Sequence, residues 1–237
     1  MSKESVPGSA MVIVAHPDDA EFTSAGTVAL WASDGCRITY VVCTDGSAGS
    51  HEPGMTQGKL AEIRQTEQRA ACRVLGVESV VFLGYPDGQL EPNLELRRDL
   101  VRAIRRHKPE VVITGDPTVL FHSGEYINHP DHRAASLAAI DAVAPAAAMP
   151  LLWPEAGAPH RVRRVLVQGS AEADVWVDID ATIEQKIEAL RQHASQLNGW
   201  DPAEMIRAWA AETGKEKGLA YAERFRAIVL EQTEADG

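Results

Sequence analysis

The sequence predicts an α/β fold: a Rossmann-like, open, mainly parallel sheet flanked by helices, with additional strands and helices in its C-terminal half. Three observations carry this prediction. Short apolar runs alternate with helix-like segments through the first half of the chain. The intervening helices are long enough for right-handed crossovers between parallel strands. Finally, two His/Asp clusters, His16-Pro17-Asp18-Asp19 and His129-Pro130-Asp131-His132, each follow a predicted strand. Open parallel sheets bind ligands beyond the carboxyl ends of their strands.

The elements follow in order. Met11–Val14 is an apolar strand, and Glu21–Ser33 has helical character ended by Gly35. Arg37–Cys43 is rich in β-branched and aromatic residues and reads as a strand. A Gly/Ser-rich loop over 45–58 precedes a long helix, Lys59–Leu75, whose apolar residues share one face. Val80–Leu83 is a strand, Leu94–His107 a helix and Val111–Thr114 a strand. A polar loop over 115–129 leads to a helix over Asp131–Val143. Beyond a proline-rich passage, Arg164–Gln168 and Asp174–Ile179 read as strands. Thr182–His193, Ala203–Ala211 and Ala220–Arg226 read as helical. One domain over 1–237 is expected, with a core over about 8–145 and a completing segment over about 146–237.

The 237 residues carry 45% hydrophobic content, enough for one sizeable core. A net charge of -11 argues against nucleic acid or an anionic membrane as partner. The three cysteines, Cys36, Cys43 and Cys72, form no CxxC pair, which points to a reducing compartment and small buried hydrophobes. No signal peptide and no membrane-spanning run are visible, so a cytoplasmic protein is expected.

The two clusters suit a hydrolytic metal. Pro17 keeps His16 extended, so the strand runs through the histidine before the chain turns. Asp18 and Asp19 are neighbours and point in different directions, so one can ligate while the other reaches water. Pro130 suits the first helical position, which places His129 near the N-cap and His132 on the same face one turn on. His16, Asp19 and His132 make a two-histidine, one-carboxylate set with an open position, suited to catalytic zinc; iron(II) uses the same donors. Each cluster alone also fits a hydrogen-bonding histidine or a helix cap. Together they point to a site. His51, His122 and His193 are lesser candidates for its border, while His107 and His160 read as solvated surface.

On these residues the chain resembles the LmbE-like, or PIG-L, deacetylases. The resemblance extends to Thr44-Asp45-Gly46-Ser47-Ala48-Gly49, Arg64-Gln65-Thr66-Glu67, Leu83-Gly84-Tyr85-Pro86-Asp87-Gly88 and the stretch from Lys186 to Gln196. It implies a metal-dependent amidohydrolase that removes an acyl group, usually acetyl, from the amine of an amino sugar. It assigns His16, Asp19 and His132 to the metal (Zn2+, or Fe2+ or another divalent ion) and makes Asp18 the general base. His129 then stabilises the oxyanion or acts as acid, with Asp131 orienting and charging it against the pull of the helix N-terminus. Arg64 and Asp87 match positions that hold the sugar or its phosphate. Ser47 stands where many relatives carry Glu, among the loops that choose the substrate. The implied partner is a small N-acetylated sugar, and a homo-oligomer is implied as well.

Three other readings compete. An amidase on the same scaffold would cleave a larger thiol-sugar conjugate. A nucleotide-binding protein would need GxGxxG after the first strand, where this chain has His-Pro-Asp-Asp. A non-catalytic sugar-binding module would be expected to have lost Asp18 or a ligand.

Overall fold

In the computed structural model, which describes residues 6–122, 124 and 126–230, the sheet is built around β1 (Ser9–Val14). Every residue of β1 is buried, because helices cover both faces of the sheet. Ala10, Val12 and Val14 face one apolar cluster, and Met11 and Ile13 face the other.

After β1 come α1 (Asp19–Thr23), α2 (Ala25–Ser33), β2 (Arg37–Thr44), α3 (Gln57–Leu75) and β3 (Ser79–Tyr85). Next are α4 (Leu94–His107), β4 (Val111–Gly115), the small strands β5 (Phe121–His122) and β6 (Tyr126–Ile127), and α5 (Pro130–Val143). The chain continues with β7 (Arg164–Gln168), β8 (Val175–Asp178), α6 (Ile183–Arg191), α7 (Ala194–Leu197), α8 (Ala203–Lys215) and β9 (Ala222–Val229).

The main sheet has the order β3-β2-β1-β4-β7-β9-β8. Strands β1 to β4 and β7 run parallel, while β9 runs antiparallel to both β7 and β8. The chain first builds outward from β1 through β2 to β3, then returns to add β4 on the other side. The strand order therefore reverses between β1 and β4, and a crevice opens beyond their carboxyl ends. Helix α5 packs closely on the face of the sheet beside that crevice, because Ala134, Ala135, Ala138, Ala139 and Ala142 are all buried there.

Four expectations are corrected. The helix read over Glu21–Ser33 is two, divided at Ser24. The polar loop over 115–129 contains the antiparallel pair β5–β6. Ala220–Arg226 is not helical: it belongs mostly to β9, where Ala222, Glu223 and Phe225 are buried and Arg224 is exposed. The buried Glu223 conceals the alternation. His107 and His160 are half-buried rather than solvated, and they meet Thr39 Oγ1 at 3.3 Å and the Pro109 carbonyl at 2.7 Å.

Glu223 ties the C-terminal half to the first motif. Its carboxylate accepts the N–H groups of Gly26 (2.9 Å) and Thr27 (2.8 Å) at the start of α2, where the helix dipole favours an anion. Lys186 Nζ donates to Glu223 at 2.6 Å and to the Thr23 carbonyl, the end of α1, at 2.9 Å. No helix among the described residues is long and apolar enough to cross a membrane.

Candidate active site

β1 delivers His16 to the crevice. Asp18 follows with φ 99°, a left-handed conformation, and Asp19 opens α1. This sharp turn separates the two carboxylates as expected. Asp19 Oδ2 folds back to accept the N–H groups of Ala15 (3.1 Å) and His16 (2.8 Å). Its Oδ1 lies 3.1 Å from His132 Nε2, and its Oδ2 lies 3.6 Å from His16 Nδ1.

Each of these two imidazoles is oriented from its far side. His16 Nε2 lies 3.0 Å from Asp87 Oδ1 and 3.3 Å from Asp131 Oδ2, and His132 Nδ1 lies 3.2 Å from Asn128 Oδ1. Outer partners of this kind fix tautomer and ring angle in metal-ligating histidines. The carboxylates that hold His16 are themselves held: Asp131 accepts from Gly88 N–H (2.7 Å) and Leu90 N–H (3.2 Å), and Asp87 from Ala48 N–H (2.9 Å).

The donors fit a divalent cation. Two sets of ligand atoms lie within 4.8 Å of one another, His16–His129–His132 and His16–Asp87–Asp131, and Asp19 approaches His132 Nε2 at 3.1 Å and His16 Nδ1 at 3.6 Å, so that its carboxylate joins the two imidazoles. Burial alone would lower the His16 pKa, but the Asp19 charge and hydrogen bonds to Asp131, Asp19 and Asp87 push it up to about 12. His132 is likewise raised against its burial, mainly by Asp19. Asp19 in turn is held well below the usual carboxylate range by the two histidines, despite its burial. The pocket thus calls for positive charge where His16, Asp19 and His132 converge. Asp131→Asn should weaken metal binding about 10- to 100-fold by loosening His16. Metal titration against a competing chelator reads this directly.

Asp18 stands apart from that set. Its Oδ2 accepts from Arg64 Nη2 at 3.1 Å. Burial pushes its pKa up to about 6, with Arg64 pulling the other way. A carboxylate poised near neutrality is suited to proton transfer.

Several expected roles are redirected. Asp131 does not charge His129: its carboxylate stays 4.0 Å from His129 Nδ1 and is committed to His16 and two backbone amides. His129 Nδ1 instead accepts the Asp131 N–H at 3.2 Å, which leaves the imidazole proton on Nε2. Burial and the neighbouring His16 lower the His129 pKa, and Asp131 opposes them without prevailing. Arg64 is buried and donates to the carbonyls of Gly46 (3.0 Å) and Pro17 (2.6 Å) as well as to Asp18, so it braces the turn rather than offering itself to a sugar phosphate. Gly46 permits this approach, since a Cβ there would sit 2.9 Å from Arg64 Nε. Asp87 is likewise engaged with His16 and Ala48. Ser47 is buried, with its amide on Asp45 Oδ1 at 3.0 Å, and Ala48 and Gly49 line the cleft in its place.

The cleft over this cluster is open and has a volume of about 390 Å³; Phe22 and Tyr126 add aromatic surface to it. A second pocket of about 120 Å³ lies beyond Asp19 and His132, where His122 forms part of the wall. His51 is exposed on its loop. Sequence reasoning missed Gln68, whose Oε1 accepts the Asp18 N–H at 3.1 Å, and the orienting role of Asn128. Gln68 follows Arg64 by four residues on α3, and that spacing was the available signal.

Known proteins are similar to this chain. The chain is 30% identical to a diacetylchitobiose deacetylase of Thermococcus kodakarensis, over 92% of this chain and 82% of the relative. It is also 30% identical to a probable N-acetyl-alpha-D-glucosaminyl L-malate deacetylase 2 of Bacillus anthracis, over 79% of this chain and 80% of the relative. The structure of N,N'-diacetylchitobiose deacetylase from Pyrococcus horikoshii superposes with a TM-score of 0.85 at 29% identity, covering 94% of this chain and 84% of that one. The PIG-L family, described as GlcNAc-PI de-N-acetylase, matches residues 11–143. That match, over more than half of the chain, places this protein in the PIG-L family.

Proposed function

We propose that this protein is a metal-dependent N-deacetylase that removes the acetyl group from an N-acetylglucosamine unit of an uncharged glycoside. One observation carries the reading: a carboxylate raised to about 6, Asp18, stands beside a separate His16–Asp19–His132 donor set at the mouth of an open cleft. The likeness to deacetylases of N-acetylglucosamine compounds supports it.

His16, Asp19 and His132 would hold the metal, zinc by donor type. When bound, the metal supplies Lewis acidity toward water and the amide carbonyl. Asp18 accepts the proton of the attacking water. His129 donates its Nε2–H to the carbonyl oxygen as negative charge develops there, and a neutral imidazole suffices for this. Asp18, now protonated, returns the proton to the departing amine, so acetate and a free amino sugar leave.

The charge of the cleft supports an uncharged substrate. Asp18, Asp19 and Asp87 line it, and the one arginine lining it among the described residues, Arg64, is buried with both of its Nη atoms bonded inside the protein. Away from the metal ligands, a phosphate or carboxylate on the substrate would face these carboxylates with no lysine and no free arginine among the described lining residues to answer it. Acetate release from a panel of N-acetylglucosamine derivatives tests the reading. Neutral glycosides should exceed matched phosphate- or malate-bearing ones by about tenfold or more in kcat/KM, on the order of one charge–charge contact near the surface. Equal rates would remove the charge argument. Binding of the panel without acetate release would mark a non-catalytic sugar-binding module instead.

A further inference from the structure

Behind Asp18 lies a buried polar row that the proposed chemistry does not use. Glu21, Gln68 and His193 are each 0% exposed. They come from α1, α3 and the junction of α6 and α7, and they meet only through the fold. Gln68 Nε2 donates to Glu21 Oε1 at 2.9 Å, and Glu21 Oε2 lies 3.3 Å from His193 Nε2. The row ends on the Asp18 N–H, which donates to Gln68 Oε1 at 3.1 Å.

Asp18 needs such support. Its φ of 99° is one that residues with a side chain rarely adopt, and it persists only where the surroundings over-determine it. Two side chains of α3, four residues apart on one face, grip the turn. Arg64 holds the Pro17 carbonyl and the Asp18 carboxylate, and Gln68 holds the Asp18 amide. Arg64 can grip in one sense only, as a donor. Gln68 can turn over, which would present its NH2 to the Asp18 N–H, donor against donor. Glu21 prevents this, because a carboxylate only accepts and so claims the NH2 end. His193 Nε2 faces the other oxygen of Glu21 at ion-pair distance, 3.3 Å, without hydrogen-bond geometry.

We propose that Gln68, aimed by Glu21 and His193, is a positioning residue that keeps Asp18 in its proton-accepting pose. This rests on Asp18 being the general base. Misplacement of a reacting group by about 1 Å can lower a rate on the order of 100-fold. Gln68→Met keeps the length of the side chain beside Cys72 but cannot accept the amide. It should lower kcat about tenfold or more, with KM within about twofold. Its metal content and cobalt(II) absorption spectrum should match the parent, because the ligands are untouched. In an Asp18→Asn background the same change should add no loss beyond about twofold, since residues acting as a unit are non-additive.

A Gln68→Met protein with parental kcat overturns the proposal. So does a further loss of about tenfold in the Asp18→Asn background, which would mark a structural role only. If Asp18→Asn alone keeps near-parental turnover, the base assignment fails and takes this proposal with it; the single variant thus separates the two failures. His193→Leu offers an independent arm should Gln68→Met not fold. It should lower kcat several-fold, and His193→Gln, which can offer a donor to Glu21, should recover most of that loss. No recovery would again overturn the proposal.

Discussion

Asp18→Asn should lower kcat by about 100- to 10,000-fold, the range spanned by a positioned proton acceptor, while the protein still binds its full complement of metal. The substitution keeps the shape of the side chain and leaves Asp19, His16 and His132 in place. Among the described residues, it removes the only lining carboxylate that is neither folded onto the His16–His132 pair nor committed to orienting His16. The parent enzyme should also lose activity toward acid. Burial raises the Asp18 pKa from its ordinary value to about 6, so protonation below that pH removes the acceptor. The rate should then fall about tenfold per pH unit. A divalent cation beside Asp18 favours the carboxylate and moves this limb to lower pH. The residual activity of Asp18→Asn should lack the limb. A pH–rate profile of both proteins, with metal analysis, checks each point.

Glu223→Ala should be the most damaging single change to stability outside the apolar core. It leaves Lys186 as a buried cation without its carboxylate and strips the acceptor from Gly26 N–H and Thr27 N–H. Breaking a buried pair from one side destabilises by about 3–5 kcal/mol. For a domain of this size that is roughly a 6–20 °C lower Tm. Pairing Glu223→Leu with Lys186→Met should recover much of the loss, because the orphaned charge disappears with its partner. Calorimetry on the single and double variants decides this. A Glu223→Ala protein that melts with the parent would mean that the salt bridge and the α2 cap contribute little.

The parallel strands and both histidine clusters were legible because their signals are local. Pro17 and Pro130 set the backbone beside each cluster, and short apolar runs mark strands covered on both faces. Arg64, Asp87 and Asp131 were legible as site residues but not in their roles. A sequence does not say whether a charged side chain faces the cleft or turns inward onto a carbonyl, an amide or a histidine. The inward contacts of Glu21, Gln68, His193 and Glu223 join residues 37 to 197 positions apart, as between Lys186 and Glu223 or Gly26 and Glu223, and no window of the chain contains them. The misread strand β9 has the same origin: Glu223 is buried for reasons that lie in α2 and α6, so its charge hid the alternation. His129 illustrates a balance of forces. Its nearest charge by sequence, Asp131, is spent on His16, so burial and His16 decide its protonation.

The most direct test measures acetate and free amine released from an uncharged N-acetylglucosamine glycoside by the protein before chelation, after chelation and after zinc is restored. Release in equal amounts, lost on chelation and recovered with zinc, is the predicted result. Full turnover by the metal-stripped protein would contradict a metal-dependent deacetylase built on His16, Asp19 and His132.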